Sequence, residues 1–210
     1  MRKIKVSIVE DIDEVRDSIG KLIQGSDEYA LISSFTNAEQ AEKNLPHDQP
    51  DIVIMDISLP GKSGIECLQK IKESCTDTQF IMYTIFEDDE KVFQALEAGA
   101  SGYLLKKTPK EKILESLKEL HEGGSPMSTQ IARKVIEAFQ RRKAISEEER
   151  SLTKKEKEVL DLLAKGFLYK EIADKLSITI NTVKQHIHSV YEKLHVTNKA
   201  EAINKIYVKK

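Results

Sequence analysis

In the stretch DIVIMDISLPGKSG, residues 51–64, a short apolar strand ends on Asp56, and a turn-rich loop follows at once. A continuous apolar run of this kind is typical of a strand in a parallel sheet that is covered on both faces. A strand that only needed to stop could end on Gly, Asn or Ser, whereas a carboxylate beside a core is costly. The position of Asp56 therefore calls for a reason beyond chain reversal.

Segments of the same kind recur on both sides of this strand, and a helical pattern follows each one. Strands are predicted at 3–9, 29–35, 51–56, 79–84 and 102–105. Helices are predicted at 13–24, 37–45, 64–74, 88–99 and 109–123. Strict alternation of short apolar strands with helices predicts an α/β fold with a doubly wound, five-stranded parallel sheet.

The C-terminal part of the chain has no strand-like alternation and is predicted to be all-α. Four helices are predicted at 153–166, 169–176, 179–194 and 198–208. The second and third are joined by a tight turn at 177–178, which indicates a helix-turn-helix unit. Capping-box spacing occurs twice, between Thr153 and Glu156 and between Asn198 and Glu201.

The segment between these parts holds one amphipathic helix that passes into the charged run RRKAISEEER, interpreted as a solvated linker. We therefore predict domains at 1–124 and 151–210, with a linker helix and charged linker at 125–150. Net charge divides in the same way, because residues 151–210 carry +5 and the preceding residues carry −7. A basic C-terminal end is a candidate for nucleic-acid binding.

Composition argues against a membrane or secreted protein. The chain is 40% hydrophobic and 32% charged, and no apolar run approaches the roughly 18 residues of a membrane helix. Acidic residues come too early in MRKIKVSIVEDIDE for a signal peptide. Cys67 and Cys75 form no CxxC pair, so we expect reduced packing residues and a cytoplasmic location.

Polar side chains end or directly follow four of the predicted strands, at the edge of a parallel sheet where ligands bind. They are Glu10 and Asp11 after the first strand, Asp56 at the end of the third, Thr84 at the end of the fourth and Lys106 after the fifth. Any one of them alone is more simply interpreted as an ordinary polar residue at a loop. All five at strand ends of one alternating domain favour a common site.

The residue types indicate what such a site could do. Converging carboxylates repel one another unless a cation is present, and Mg²⁺ suits one or two carboxylates with water and a phosphate. Lys106 and Thr84 would then face an added anion as a point charge and a hydroxyl donor. Phosphoryl transfer needs this combination, with Asp56 as the nucleophile, since carboxylates form aspartyl-phosphates.

Residues 3–123 resemble the receiver domain of bacterial two-component response regulators, which has a flavodoxin-like fold. The resemblance is carried by VED at 9–11, MDISLPGKSG at 55–64, the threonine at 84 and GASGYLLKK at 99–107. It implies that a sensor histidine kinase is the partner that phosphorylates Asp56.

The resemblance also implies roles for the surrounding residues. Asp11 and Asp56 would bind Mg²⁺ with the backbone carbonyl of Ser58, and Glu10 would assist. The phosphoryl group would be contacted by Lys106, and Thr84 and Tyr103 would change position with it. The first acidic position is Glu10 here, where the family more often has Asp.

The predicted helix at 179–194 has one apolar stripe and one polar face. In a helix-turn-helix the second helix enters the major groove, where Lys can donate to guanine and Gln can pair with adenine. The candidates for base contacts are Lys184, Gln185 and His188, and those for phosphate contacts are Thr182, Lys170 and Lys199. The alternative is a small helical bundle with a solvated charged face.

Residues 151–205 resemble the DNA-binding domain of the LuxR/NarL family. The matching text is LTKKEKEVLDLLAKG, KEIADKLSITINTVKQHIHSVYEKLHV and NKAEA. Lys155 and Lys199 stand where the family usually has Arg, and LYK at 168–170 stands where Ser-Asn-Lys is commoner. The resemblance implies that the last helix, 198–208, often forms a dimer contact.

The leading hypothesis is a response regulator transcription factor in which phosphorylation of Asp56 controls sequence-specific binding to double-stranded promoter DNA. We expect a homodimer when the protein is phosphorylated, and no membrane partner. The alternative is a phosphorylation-independent DNA-binding regulator that uses the receiver as a dimerisation module. A third hypothesis, a phosphatase-like hydrolase using Asp56, would need a cap over its substrate. The first segment has no insertion for one, so we expect no turnover of an external substrate.

Overall fold

The structure is a computed structural model that describes residues 2–207, without the side chains of residues 141–149. The chain divides into two compact units, Met1–Ile136 and Glu137–Lys210. No helix in the described part of the chain is long and apolar enough to cross a membrane.

The first unit is built on a five-stranded parallel sheet. Its strands are β1 (Ile4–Val9), β2 (Tyr29–Phe35), β3 (Ile52–Met55), β4 (Gln79–Thr84) and β5 (Gly102–Leu105), in the order β2-β1-β3-β4-β5. The chain moves outward in one direction from β1 to β2 and in the other from β3 onward, so the order reverses between β1 and β3. Ligand sites in open α/β sheets lie at such a reversal, at the carboxyl ends of the strands.

Five helices cover the two faces of this sheet. They are α1 (Asp13–Gln24), α2 (Ala38–Asp48), α3 (Gly64–Ile71), α4 (Asp89–Glu97) and α5 (Lys110–His121). Apolar residues of α1 and α5 pack on one face of the sheet, and those of α2, α3 and α4 pack on the other. The predicted doubly wound α/β fold is confirmed.

The segment after α5 returns to the sheet before it becomes helical. The amide of Tyr103 donates to the carbonyl of Pro126 at 2.9 Å, and Met127 forms a bridge with Tyr103. Helix α6 (Thr129–Ser151) then begins, and Ile131 in its first turn is fully buried against the core of the first unit. The beginning of the predicted linker is therefore packed.

Helix α6 is longer than the sequence pattern indicates. The predicted helix passes into a charged linker at residue 141, whereas α6 continues to Ser151. The run RRKAISEEER contains no Gly or Pro, and Arg, Lys, Ala and Glu are strong helix formers. Its polarity therefore indicated a solvated segment but not a break in the helix.

The second unit contains α7 (Lys154–Ala164), α8 (Tyr169–Leu176), α9 (Ile180–Lys193) and α10 (Lys199–Tyr207). Thr153 and Glu156 form the expected capping box at the start of α7. Helix α8 ends at Leu176, and its C-cap residue Ser177 has a left-handed backbone with φ 54°, where the chain turns into α9. The predicted all-α unit with a helix-turn-helix is confirmed.

Both cysteines are free and buried, as the sequence predicts for packing residues. Burial raises the pKa of the Cys67 thiol to about 12, so this side chain stays a neutral thiol in the core.

Candidate functional site

Three carboxylates meet where the strand order reverses. Glu10 directly follows β1 and Asp56 directly follows β3, and the two strands pair in register up to Val9 and Met55. Glu10 and Asp56 are 1% and 3% exposed, whereas Asp11 is exposed. One carboxylate oxygen from each of the three lies within 4.8 Å of the others. The predicted convergence of the acidic residues is thus present in the structure.

Lys106 reaches this cluster from β5, which is an edge strand of the sheet. It follows β5, and its Nζ donates to Oδ2 of Asp56 at 2.8 Å and to Oε1 of Glu10 at 2.9 Å. Burial by itself would lower the pKa of Lys106, but the hydrogen bonds to the two carboxylates outweigh it and raise that pKa. Burial raises the pKa of Glu10, and the charge of Asp56 adds to this rise while Lys106 opposes it. One ammonium therefore serves two buried carboxylates.

Two oxygens of the cluster remain without a hydrogen-bond donor. Oδ1 of Asp56 accepts no hydrogen bond. Oε2 of Glu10 is ion-paired with Lys106 Nζ at 2.7 Å, but the angle between them does not allow a hydrogen bond. Among the described residues, these are the buried side-chain oxygens or nitrogens that lack a hydrogen-bond partner. A buried acceptor without a partner costs about 1–3 kcal/mol. These hard oxygen donors fit a divalent cation of the Mg²⁺ type.

The loop after Asp56 is shaped by a close approach of helix α3. A Cβ built on Gly64 would lie 1.9 Å from the backbone oxygen of Asp56, so only glycine fits there. Ser63 begins α3 with a capping box to Glu66. Ser58 is exposed in this loop, two residues after Asp56. The spacing between Asp56 and Gly64 therefore allows the N-terminus of α3 to pack against the end of β3.

Thr84 and Tyr103 meet at a third residue, Phe86. The amide of Phe86 lies 3.5 Å from Thr84 Oγ1 and donates to it, and the Tyr103 hydroxyl donates to the carbonyl of Phe86 at 3.0 Å. Both Thr84 and Tyr103 are fully buried. The structure therefore groups these two predicted switch residues around the loop that follows β4, and places the Tyr103 ring in the core.

In the second unit, α9 has the two faces that the sequence predicts. Its buried stripe consists of Val183, Ile187 and Val190, with Leu194 at the C-cap. Its exposed residues include the three candidates for base contacts, Lys184, Gln185 and His188. Of the candidates for phosphate contacts, Lys170 and Lys199 are exposed, and Thr182 is half-buried in the first turn of α9.

Comparison with known families decides what these two units are. The family model of the response regulator receiver domain matches residues 6–118, and that of the bacterial regulatory proteins of the luxR family matches residues 150–206. The chain is a LuxR-family response regulator. The first unit is thus a receiver, and the second contains a LuxR-type DNA-binding domain.

Relatives of this response regulator match along nearly its whole length. The transcriptional regulatory protein LnrK of Bacillus subtilis (strain 168) is 35% identical over 95% of this chain and 94% of its own. The oxygen regulatory protein NreC of Staphylococcus carnosus (strain TM300) is 30% identical over 99% of this chain and 98% of its own.

Solved structures of the response regulator RcsB are similar over the full length. RcsB of Salmonella typhimurium has a TM-score of 0.64 at 25% identity, with 100% of both chains covered. A structure of the RcsB–DNA complex has a TM-score of 0.59 at 25% identity, again with 100% of both chains covered. These similarities support DNA-binding transcription regulation as the function class of this response regulator. Its family is one of DNA-binding regulators and not of classical enzymes.

Sequence reasoning missed a buried ion pair inside the DNA-binding domain. Glu156 is 4% exposed, and it accepts hydrogen bonds from Ser189 Oγ at 2.6 Å and from Lys193 Nζ at 2.7 Å. Burial would raise the pKa of Glu156, but these bonds and those from Thr153 lower it to about 2. The capping-box spacing identified Glu156 only as a local cap, whereas the structure shows that it also ties α7 to α9.

The Glu156→Gln variant of this response regulator should lose stability at neutral pH but not in acid. The carboxylate has its pKa depressed from 4.5 to about 2, so its contribution is present above about pH 4.5 and is lost as pH falls toward 2. We expect a loss of about 1–3 kcal/mol near pH 7 that shrinks below pH 4.5. Urea unfolding followed by NMR signals of α9 measures it.

Glu158→Gln provides the matched control, because Glu158 is exposed on the same helix and pairs with Lys155 at the surface. Its expected cost is below about 1 kcal/mol at every pH. A Glu156→Gln deficit that stayed constant down to about pH 3 would contradict the assignment of this stability to the carboxylate.

Proposed function

We propose that Asp56 accepts a phosphoryl group from a sensor histidine kinase, and that the phosphorylated state controls sequence-specific binding to promoter DNA. The observation that carries the first part is the donor-free Oδ1 of Asp56 beside Glu10 and Asp11, with Lys106 holding the other oxygen. Oδ1 attacks phosphorus, the bond from phosphorus to the donor nitrogen breaks, and the imidazole leaves. The product is an aspartyl-phosphate.

In this proposal, Mg²⁺ is held by Asp11, Asp56 and the backbone carbonyl of Ser58, with Glu10 assisting. The metal, when bound, offsets negative charge on the carboxylates and on the phosphoryl oxygens. The support is the chemistry of the donor set, which consists of hard carboxylate oxygens that lie within 4.8 Å of one another.

Lys106 and Thr84 recognise the added group in this proposal. The Lys106 ammonium already lies 2.8 Å from Asp56, so it can follow negative charge onto a phosphoryl oxygen without a large movement. Thr84 would donate its hydroxyl to the same group. Because the Phe86 amide donates to Thr84 Oγ1, a rotation of Thr84 changes a contact that holds the loop after β4.

This loop and the first residue of α4 are also in contact with the start of α6, which gives the receiver a route for the signal. Gln130 donates to Glu87 at 3.4 Å, and Lys134 pairs with Asp89 at 2.9 Å. We propose that Tyr103 follows the loop and that α6 changes its contacts with it. In this proposal the receiver domain comprises residues 1–124, the linker 125–150 and the DNA-binding domain 151–210. The beginning of the linker packs on the receiver.

The family relationship supports the remaining parts of the proposal. The phosphorylated protein acts as a homodimer on promoter DNA in the cytoplasm, and it turns over no external phosphoester. Mapping the phosphoryl group tests the first step: incubation with Mg²⁺ and acetyl phosphate, followed by borohydride reduction and mass spectrometry, should label the peptide that contains Asp56. A label on another residue would contradict the assignment.

For the DNA contacts, Lys184→Ala and Lys170→Ala should have different effects. Lys184 is proposed to contact a base edge, so its loss should cost about 1–3 kcal/mol on the preferred sequence and relax specificity at one position. Lys170 is proposed to contact a phosphate, so its loss should weaken all sequences alike and reduce the salt slope by about 1. Fluorescence anisotropy at several salt concentrations measures both.

Lys165→Ala is the control for these variants, because Lys165 is an exposed lysine at the end of α7, outside the helix-turn-helix pair. It removes the same charge and should change affinity less than either variant. Equal effects of the Lys184 and Lys165 substitutions would show that only net charge matters and would overturn the base contact.

A further inference from the structure

A half-buried arginine, Arg16, contacts the main chain of two acidic residues of the receiver site. Arg16 is in the second turn of α1, and its side chain is 17% exposed. Its Nη1 donates to the backbone carbonyl of Glu10 at 3.0 Å and reaches that of Asp11 at 3.4 Å. Its Nη2 donates to Oδ1 of Asp13. A single guanidinium thus holds the main chain of two residues that bear acidic groups of the site.

The three acidic residues differ in the hydrogen bonds that their backbone amides make to the sheet. The amide of Glu10 donates to Phe35 in β2, and the amide of Asp56 donates to Val9 in β1. Asp11 lies beyond the end of β1, in the turn before α1, and it is exposed. The position of its carboxylate therefore depends on the conformation of this turn.

We propose that Arg16 is a positioning residue for the divalent cation site, acting through the main chain of Glu10 and Asp11. This inference rests on the proposed function, since it assumes that Asp11 and Asp56 hold Mg²⁺. Mg²⁺ requires near-ideal octahedral geometry, so a shift of one carboxylate in the turn weakens its binding. Groups that orient metal ligands typically contribute 10–100-fold in metal affinity.

The geometry explains why this position needs arginine. The guanidinium is planar, and its donors point in fixed directions, so it can bond two carbonyls and one carboxylate together. Lysine at residue 16 would keep the positive charge but would lose this fork. The Arg16→Lys variant therefore separates the effect of geometry from the effect of charge.

Charge and positioning predict opposite signs for Arg16→Gln. A positive group beside a cation site repels the cation, so removing it should tighten binding if charge were the only effect. Loss of positioning should instead weaken binding. Ca²⁺ tolerates flexible coordination better than Mg²⁺, so positioning should affect Mg²⁺ more strongly.

The test is a calorimetric titration of the full chain with Mg²⁺ and, separately, with Ca²⁺. We expect Arg16→Lys and Arg16→Gln to weaken Mg²⁺ binding by about tenfold or more, and Ca²⁺ binding by less than about threefold. Asp13→Ala is the matched control, because it removes the acceptor of Nη2 and leaves the carbonyl contacts of Nη1 in place. It should keep Mg²⁺ affinity within about twofold of the unmodified chain.

Metal-free melting temperatures, measured on the same samples, separate this role from a purely structural one. A lower melting temperature with unchanged Mg²⁺ affinity, or tighter Mg²⁺ binding in Arg16→Gln, would overturn the inference. If the unmodified chain itself bound no Mg²⁺, the metal in the proposed function would fail first. The two failures are therefore distinguishable.

Discussion

Asp56→Asn should abolish phosphoryl uptake from acetyl phosphate in the presence of Mg²⁺. The variant replaces the nucleophilic carboxylate with an amide, whose oxygen is a poor nucleophile and whose nitrogen is not one at neutral pH. Glu10 and Asp11 are nearby carboxylates, but Glu10 is bound to Lys106 at 2.9 Å, and the proposal assigns Asp11 to the metal. Intact-mass spectrometry should show one added phosphoryl group in the unmodified chain and none in the variant.

Asp77→Asn is the matched control for this experiment, because it makes the same chemical change at an exposed turn outside the cluster. It should take up the phosphoryl group like the unmodified chain. Circular dichroism spectra of the three proteins establish that all are folded. Undiminished uptake by Asp56→Asn would contradict the assignment of the phosphoacceptor.

Of the substitutions proposed here, Lys106→Met should lower the stability of the metal-free receiver most. The substitution keeps an apolar chain of similar length but leaves the buried carboxylates of Glu10 and Asp56 without their ammonium. Removing one partner of a buried ion pair costs about 3–5 kcal/mol. A divalent cation supplies the missing positive charge, so Mg²⁺ should recover much of this loss. Thermal unfolding with Mg²⁺ and with a chelator measures both effects.

Lys107→Met makes the same substitution at the next residue, where the lysine side chain is 64% exposed and pairs with Glu87. Its expected cost is below about 1 kcal/mol, with no dependence on Mg²⁺. Similar losses for the two variants, or a Lys106→Met deficit that Mg²⁺ leaves unchanged, would show that Lys106 is not the counter-charge of the cluster.

Much of the fold follows from local patterns. Each short apolar strand is followed by a helical pattern, and in a parallel sheet this alternation leaves few topologies. The same argument brings Glu10, Asp56 and Lys106 together, because residues directly after parallel strands lie at one edge of the sheet. The predicted end of α6 is wrong by about ten residues, because a charged run without Gly or Pro is compatible with both a helix and a linker.

The contacts that were missed all join residues distant in sequence, or join side chains to the backbone. The Arg16 guanidinium binds carbonyl oxygens, which every residue has and no residue type indicates. Glu156 finds Lys193 only when α7 and α9 are packed together. The meeting of Thr84 and Tyr103 at Phe86 likewise depends on a loop conformation. Sequence reasoning named Thr84, Tyr103 and Glu156, but it did not identify Arg16 and could not supply any of these partners.

In the proposed function, phosphate on Asp56 controls DNA binding by the second unit. The most direct test is to select DNA from a random pool with the unmodified chain, and then to measure the affinity for the selected sequence with and without acetyl phosphate and Mg²⁺. We predict that phosphorylation changes this affinity by at least about tenfold, and that the affinity of Asp56→Asn stays constant. Equal affinity of the phosphorylated and unphosphorylated chains would contradict the claim and leave the receiver as a phosphorylation-independent dimerisation module.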